Sequence, residues 1–358
     1  MDTSHVLPLT IITSSKTTFV SIIPRHIFAE KELHKESTMK KYTLIAGILI
    51  ILNSASAQSN HTIILTKTEK DVIPEGITID PVKGTIYVSS IAHKKIIGID
   101  SNGVNQDFIT TNQDGFLEGL GMKIDAKKHW LWAVSNEKQD NWFISKLHAF
   151  DLRTHSVKQQ YILKDTTRHL WNDLIIHPNG KVYITDTYGS SIYQVDPEKQ
   201  KLDVFLKDSL IAWPNGICFN ANKKIYVATY SHGLIQLDPA TKKLSQVKGY
   251  TDSVKAYNLD GLIYWNNTII GVYNGAADNK DNAIVQYSLN DAGNKIVSER
   301  TIDKGNEHFH EPTTAALLGS KLFVLANSYL SAYNTNHESV NSIEDKLGPV
   351  TILVYELK

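Results

Sequence analysis

A single cysteine, Cys218, stands among 358 residues, so no intramolecular disulfide can brace the chain and its fold must be stable by packing alone. Between Ile217 and Phe219, that thiol reads as a small buried hydrophobe rather than a reactive group. An excess of either charge is also missing, because 37 Lys and Arg balance 37 Asp and Glu. The basic pairs Lys94-Lys95, Lys127-Lys128 and Lys223-Lys224 are scattered at turn-like positions, which argues against a nucleic-acid partner. Neither a nucleophilic serine motif nor a phosphate-cradling glycine loop occurs where strands would expose one. Helical periodicity is scarce too, and the apolar run Tyr42–Leu52 is too short to span a bilayer comfortably.

That run has a different use. Met39-Lys40-Lys41 precedes it and Ser54-Ala55-Ser56-Ala57 follows it, giving the charged, apolar and small-residue regions of an export signal. The expected organisation is therefore a leader over 1–38 ahead of the true start at Met39, a signal peptide over 39–57, and a single mature domain over 58–358 beginning at Gln58. Such a protein is secreted or periplasmic, with no stable membrane insertion after cleavage.

What the chain has in abundance is repetition. The stretches WNDLIIHPNGKVYITDTYGSSIYQVDP and WPNGICFNANKKIYVATYSHGLIQLDP lie one after the other, and the same opening recurs along the chain. Glu75-Gly76, Glu118-Gly119, Asn172-Asp173, Asn215-Gly216, Asp260-Gly261 and Glu311-Pro312 are spaced 43, 54, 43, 45 and 51 residues apart. Each unit reads as an apolar strand, a tight turn, a second strand rich in Tyr and Val, and a third ending near Asp, with a more polar fourth. That period and content predict an all-β fold, a six-bladed β-propeller with four-stranded blades around a central channel. Pro349–Leu357 is expected to complete the sixth blade beside an early strand near Thr62–Thr66, so that the two ends lock one blade.

Pseudo-symmetry then aims the six opening residues, Glu75, Glu118, Asn172, Asn215, Asp260 and Glu311, at one channel mouth. All carry oxygen, and hard oxygen donors suit calcium, magnesium or manganese better than a thiolate-loving metal. Asp173 reads as a supporting acceptor. Asn-Gly and Asp-Gly are also ordinary turn dipeptides, but turn chemistry does not account for Glu at three positions.

These residues resemble the senescence marker protein/gluconolactonase group of six-bladed propellers, the regucalcin-like family, with a more distant likeness to paraoxonases. The resemblance covers roughly residues 70–335 and rests on Glu75-Gly76, Asn172-Asp173 with Pro178-Asn179-Gly180, Pro214-Asn215-Gly216 and Asp260-Gly261. It implies one divalent cation held by Glu75, Asn172, Asn215 and Asp260, calcium first, with magnesium, manganese or zinc as alternatives. It also implies hydrolysis of a small-molecule lactone or ester, with Asp260 as general base or as metal ligand only. Many gluconolactone-type members place an arginine two residues before the blade-three Asn, where this chain has Leu170. The rim instead offers Trp171, Trp213, Glu118, His310 and Glu311 for substrate, with Tyr257 nearby, which points to a substrate with an apolar part. His177, His232 and His129 sit at turns and read as packing or surface residues, whereas His310 adjoins Glu311 and is placed to move a proton. A non-catalytic propeller that binds a ligand or protein on its channel face stays open beside the hydrolase.

Overall fold

In the second strand of each unit the apolar run is almost continuous. Ile86–Ser90, Val182–Asp186 and Ile225–Thr229 are buried at every residue. A strand with no exposed face must be covered on both sides, which happens when radially arranged sheets stack face to face. The outermost strands, such as Val157–Asp165, alternate half-buried with exposed positions around one buried residue, Tyr161, because only one of their faces meets a neighbouring blade.

The computed structural model describes residues 60–251, 257–274, 279–335 and 340–358. The expected leader, the export signal and the Gln58 start lie outside them. Among the described residues no helix is long and apolar enough to cross a membrane.

The strands, numbered along the chain, form six antiparallel four-stranded sheets. After β1 (His61–Leu65), blade one holds β2 (Pro74–Ile79), β3 (Ile86–Ser90), β4 (Ile96–Ile99) and β5 (Asn105–Ile109). Blade two holds β6 (Glu118–Asp125), β7 (Trp130–Gln139), β8 (Trp142–Asp151) and β9 (Val157–Asp165). Blade three holds β10 (Trp171–Ile176), β11 (Val182–Asp186), β12 (Ser191–Asp196) and β13 (Lys201–Lys207). Blade four holds β14 (Pro214–Phe219), β15 (Ile225–Thr229), β16 (Gly233–Leu237) and β17 (Leu244–Gln246). Blade five holds β18 (Leu259–Trp265), β19 (Thr268–Tyr273), β20 (Ala283–Leu289) and β21 (Ile296–Lys304). Blade six runs β22 (Ala315–Leu318), β23 (Lys321–Leu325), β24 (Thr351–Glu356) and then β1.

The ring therefore closes as the sequence predicts, one residue off the expected β1 boundaries. β1 and β24 pair from His61 opposite Tyr355 to Leu65 opposite Thr351. Third strands end at Asp because its carboxylate folds the chain back on itself. Asp238 Oδ1 accepts the Ala240 N–H at 2.9 Å, and Asp196 Oδ1 accepts that of Lys199 at 3.2 Å. The long spacing after blade two's opening comes from the ten-residue strands β7 and β8.

Each inner strand of blades one to five breaks register near its start. The breaks fall between Pro74 and Ile77, Gly119 and Met122, Trp171 and Leu174, Pro214 and Ile217, and Leu259 and Leu262. A bulge of this kind re-aims side chains, so the opening dipeptides of blades one, three, four and five lie in strand bulges rather than in turns. Glycine follows the opening residue because neighbouring inner strands nearly touch. A Cβ on Gly76 would lie 2.1 Å from the Leu120 carbonyl oxygen, and one on Gly216 2.2 Å from that of Asp260.

Candidate metal and active site

The bulges fix which residues are equivalent, and they revise the ring at two blades. In blade two the two unpaired residues are Leu120 and Gly121, so the counterpart of Glu75 is Leu120, not Glu118. In blade six, Thr313 takes the place. Its carbonyl accepts the Gly261 N–H at 2.8 Å, and its hydroxyl donates to the Glu75 carbonyl at 3.0 Å. The ring is thus Glu75, Leu120, Asn172, Asn215, Asp260 and Thr313. The sequence alignment is out by two residues at blades two and six, a slip that strand periodicity hides because residues two apart share a face.

Glu75, Asn172, Asn215 and Asp260 line one small cavity with Asp173, Gly121, Gly261 and Thr314. It encloses about 10 Å³, roughly the space of one water-sized sphere. Three of the four ring donors have a dedicated partner one residue past the second strand of their own blade. Asn172 Nδ2 donates to Thr187 Oγ1 at 3.1 Å, Asn215 Nδ2 to the Tyr230 hydroxyl at 2.8 Å, and Asn274 Nδ2 to Asp260 Oδ2 at 2.6 Å. With each amide's NH2 group so engaged, its carbonyl oxygen is left for the channel.

Glu75 differs. The matching position in blade one is Ile91, buried and apolar, and Glu75 Oε2 is buried with no hydrogen-bond partner. Burial, and then the charges of Asp260, Glu311 and Asp173, hold the Glu75 carboxyl well above its ordinary range. Burial likewise pushes Asp260 up to about 7, with Glu311 and Asp173 adding to it and the Asn274 and Asn215 amides offsetting part of the rise. Tyr230 is raised too, by burial and by Asp260, because its hydroxyl reaches into the site although its ring edge is exposed. Asp173 occupies the glycine position of blade three. Its Oδ1 accepts the Leu174 N–H at 2.8 Å and lies 3.6 Å from Lys123 Nζ.

A buried orphan carboxylate oxygen, a second buried carboxylate and two oriented amide oxygens fit a hard divalent cation. Among the described residues no group of three His, Cys, Asp or Glu side chains converges as a metal site; half of this donor set is amide.

The expected rim residues separate. Trp213 is half exposed and meets Tyr188 edge-on with ring centroids 5.6 Å apart. His310 stacks on Tyr329 with part of its surface exposed, and partial desolvation of its ring, then the charge of His308, lowers its basicity. Glu311 accepts hydrogen bonds from the Ser331 backbone and hydroxyl, yet its charge still reaches Glu75 and Asp260. Glu118 belongs to a separate charged group with Lys94 and Glu137.

Trp171 is a correction. It is fully buried rather than on the rim. The excursion between β23 and β24 explains this: Tyr329, Leu330, Ala332, Tyr333, Ile343 and Leu347 join the apolar cluster that holds Ile73, Ile91, Leu120, Leu170 and Trp171. Cys218 is buried and its thiol is pushed up by burial, and His177 is a buried packing residue bonded to the Lys223 carbonyl, both as expected. Thr187, Tyr230 and Asn274 escape a reading by motif. Their only signal is the offset of 14 or 15 residues from a ring residue.

A sequence profile for the SMP-30/Gluconolactonase/LRE-like region matches residues 73–270, more than half of the chain, including all four ring donors. No curated sequence matches the chain significantly. Among solved structures, a calcium-binding protein, regucalcin, from Agrobacterium tumefaciens is 18% identical, covers 83% of this chain and 97% of its own, and superposes with a TM-score of 0.52. A gluconolactonase from Xanthomonas campestris is 12% identical over 78% of this chain and 85% of its own, with a TM-score of 0.52. Virginiamycin B lyase from Staphylococcus aureus is 15% identical over 75% and 82%, also at 0.52. At these identities the likeness is one of fold, and the fold carries more than one reaction type.

Proposed function

The chain belongs to the SMP-30/gluconolactonase/LRE-like family, and on that premise we propose that it is a divalent-cation-dependent hydrolase of a small-molecule lactone or related ester. The observation that carries the reading is the buried, partnerless Glu75 Oε2 facing a cavity shared with Asp260 and two amides. Two carboxylates left uncompensated at such a site are costly, and a divalent cation offsets both. Glu75, Asn172, Asn215 and Asp260 would hold it, with calcium the best match to an all-oxygen set.

When bound, the cation supplies Lewis-acid polarisation of the substrate carbonyl. Asp260 takes the proton from the attacking water as its oxygen bonds to the carbonyl carbon, and returns it to the departing alkoxide as the ester C–O bond breaks. Asn274 and Asn215 keep the Asp260 carboxyl from turning away, and Tyr230 and Thr187 do the same for the two amides. The Met39–Ala57 segment supports placing this activity outside the cytoplasm, with a mature chain starting at Gln58.

Elemental analysis of the purified chain, paired with a panel of lactones and aryl esters read with and without chelator, tests the reading. A stoichiometric divalent cation and chelator-sensitive hydrolysis are expected. Cation-loaded protein that hydrolyses nothing yet binds ligands at the same mouth would be a binding propeller instead.

A further inference from the structure

Beside the ring, blades three and four carry a ladder of three side chains that the hydrolytic chemistry does not use. Arg168 lies over the Tyr188 ring with its guanidinium carbon 3.6 Å from the centroid, and Tyr188 meets Trp213 edge-on. All three flank ring machinery in sequence: Tyr188 follows Thr187, Trp213 precedes Pro214-Asn215, and Arg168 lies four residues before Asn172.

The ladder is held in place. Asp186, fully buried, accepts the Leu170 N–H at 2.9 Å and the Gly189 N–H at 3.0 Å, and pairs with His169 Nδ1 at 2.5 Å. One carboxylate thus ties the segment bearing Arg168 to the turn bearing Tyr188. Trp213 has a left-handed backbone, φ 54°, which a bulky aromatic residue adopts only under constraint, and half of its surface is exposed. An aromatic kept strained and wet, sharing the Tyr188 ring with a cation that makes no ion pair among the described residues, is arranged for a ligand rather than for the core. A guanidinium stacked on a ring keeps its edge N–H groups free for a planar anion.

We propose that Arg168, Tyr188 and Trp213 form a specificity subsite for a substrate bearing an anionic group, taken by Arg168, next to a flat apolar group, covered by Trp213. This rests on the hydrolase reading for its place in catalysis, but the subsite is testable by binding alone. Calorimetry of the full chain, calcium-loaded and again with chelator, compares 2-naphthoate with its neutral analogue 2-naphthamide. Naphthoate should bind about tenfold more tightly in both states, and Arg168→Met should erase that preference while leaving naphthamide unchanged. Trp213→Gly should weaken both ligands about tenfold while holding or raising Tm, because glycine accepts the left-handed backbone. For an anionic aryl ester, both variants should raise KM and spare kcat.

Preference for the anion surviving in Arg168→Met, or Trp213→Gly lowering Tm with binding intact, would overturn the subsite. Naphthoate bound through Arg168 by a protein that hydrolyses no ester would sink the hydrolase reading and leave the subsite standing.

Discussion

Blades three, four and five each back their ring residue with a polar side chain from the adjoining strand, whereas blade one backs Glu75 with Ile91 and blade two replaces the ring residue with Leu120. The polar half is satisfied without any added group: Asn172, Asn215 and Asp260 already have Thr187, Tyr230 and Asn274. On the other side Glu75 has an orphan buried oxygen, and the corresponding blade-one and blade-two positions, Ile91 and Leu120, belong to an apolar cluster with Ile73 and Ile343. Oriented amides on one side thus face a carboxyl with an orphan oxygen on the other, which is the asymmetry the proposed cation would bridge.

Removing the charge at the centre of the polar half should have the largest effect. Asp260→Asn keeps size and an oxygen donor but loses basicity, so hydrolysis should fall by about 10²–10⁴ in kcat. Circular dichroism should show the fold retained. Recovery at saturating calcium would reassign Asp260 from base to ligand.

Glu75→Gln attacks the other half and should change stability in a pH-dependent way. Glu75 and Asp260 both have raised carboxyl pKa values in the fold, so cation-free protein retains their protons where the unfolded chain has released them. Their stabilising contribution is full below the unfolded carboxyl range, about pH 4, and is lost as pH rises toward about 7. The Tm of chelated protein should therefore fall over that window, and calcium should restore it, by about 2.7 kcal/mol at a hundredfold excess over Kd. Glu75→Gln should flatten the fall and abolish the calcium response. A Tm that rises with pH in chelator would refute the electrostatics.

Loosening one amide is a smaller perturbation. Tyr230→Phe and Thr187→Val each remove the hydroxyl that orients a ring amide, and each should weaken calcium binding about 10–100-fold by calorimetry. The two losses should be of similar size if the partner position is equivalent across blades. Smallest of all, Glu118→Gln should change calcium affinity by less than about twofold, because Glu118 belongs with Lys94 and Glu137 rather than with the ring.

The propeller and the four ring positions that line the cavity were legible because strand alternation, turn residues and the Glu-Gly, Asn-Gly and Asp-Gly pairs report strictly local constraints. Glycine at 76, 216 and 261 records a backbone approach that tolerates no side chain, so in those blades it marks the bulge. At blade six neither position has glycine, the repeat has drifted, and Glu311 looked like the ring residue that Thr313 is. Blade two has two glycines two apart, and the first misled. Trp171 could not be placed from its own neighbours, because its apolar cluster is joined by Tyr329, Leu330, Tyr333 and Ile343, which lie far along the chain. Thr187, Tyr230 and Asn274 are three different residue types at one structural position, so no motif could join them.

The pairing of β1 with β24 links residues 61–65 to 351–356, which makes the first described strand a partner of the last. Until Thr351–Glu356 is in place, β1 has no partner in the sixth sheet, and the ring stays open between its two ends. The propeller is thus completed by its most distant contact, a topology that folds slowly.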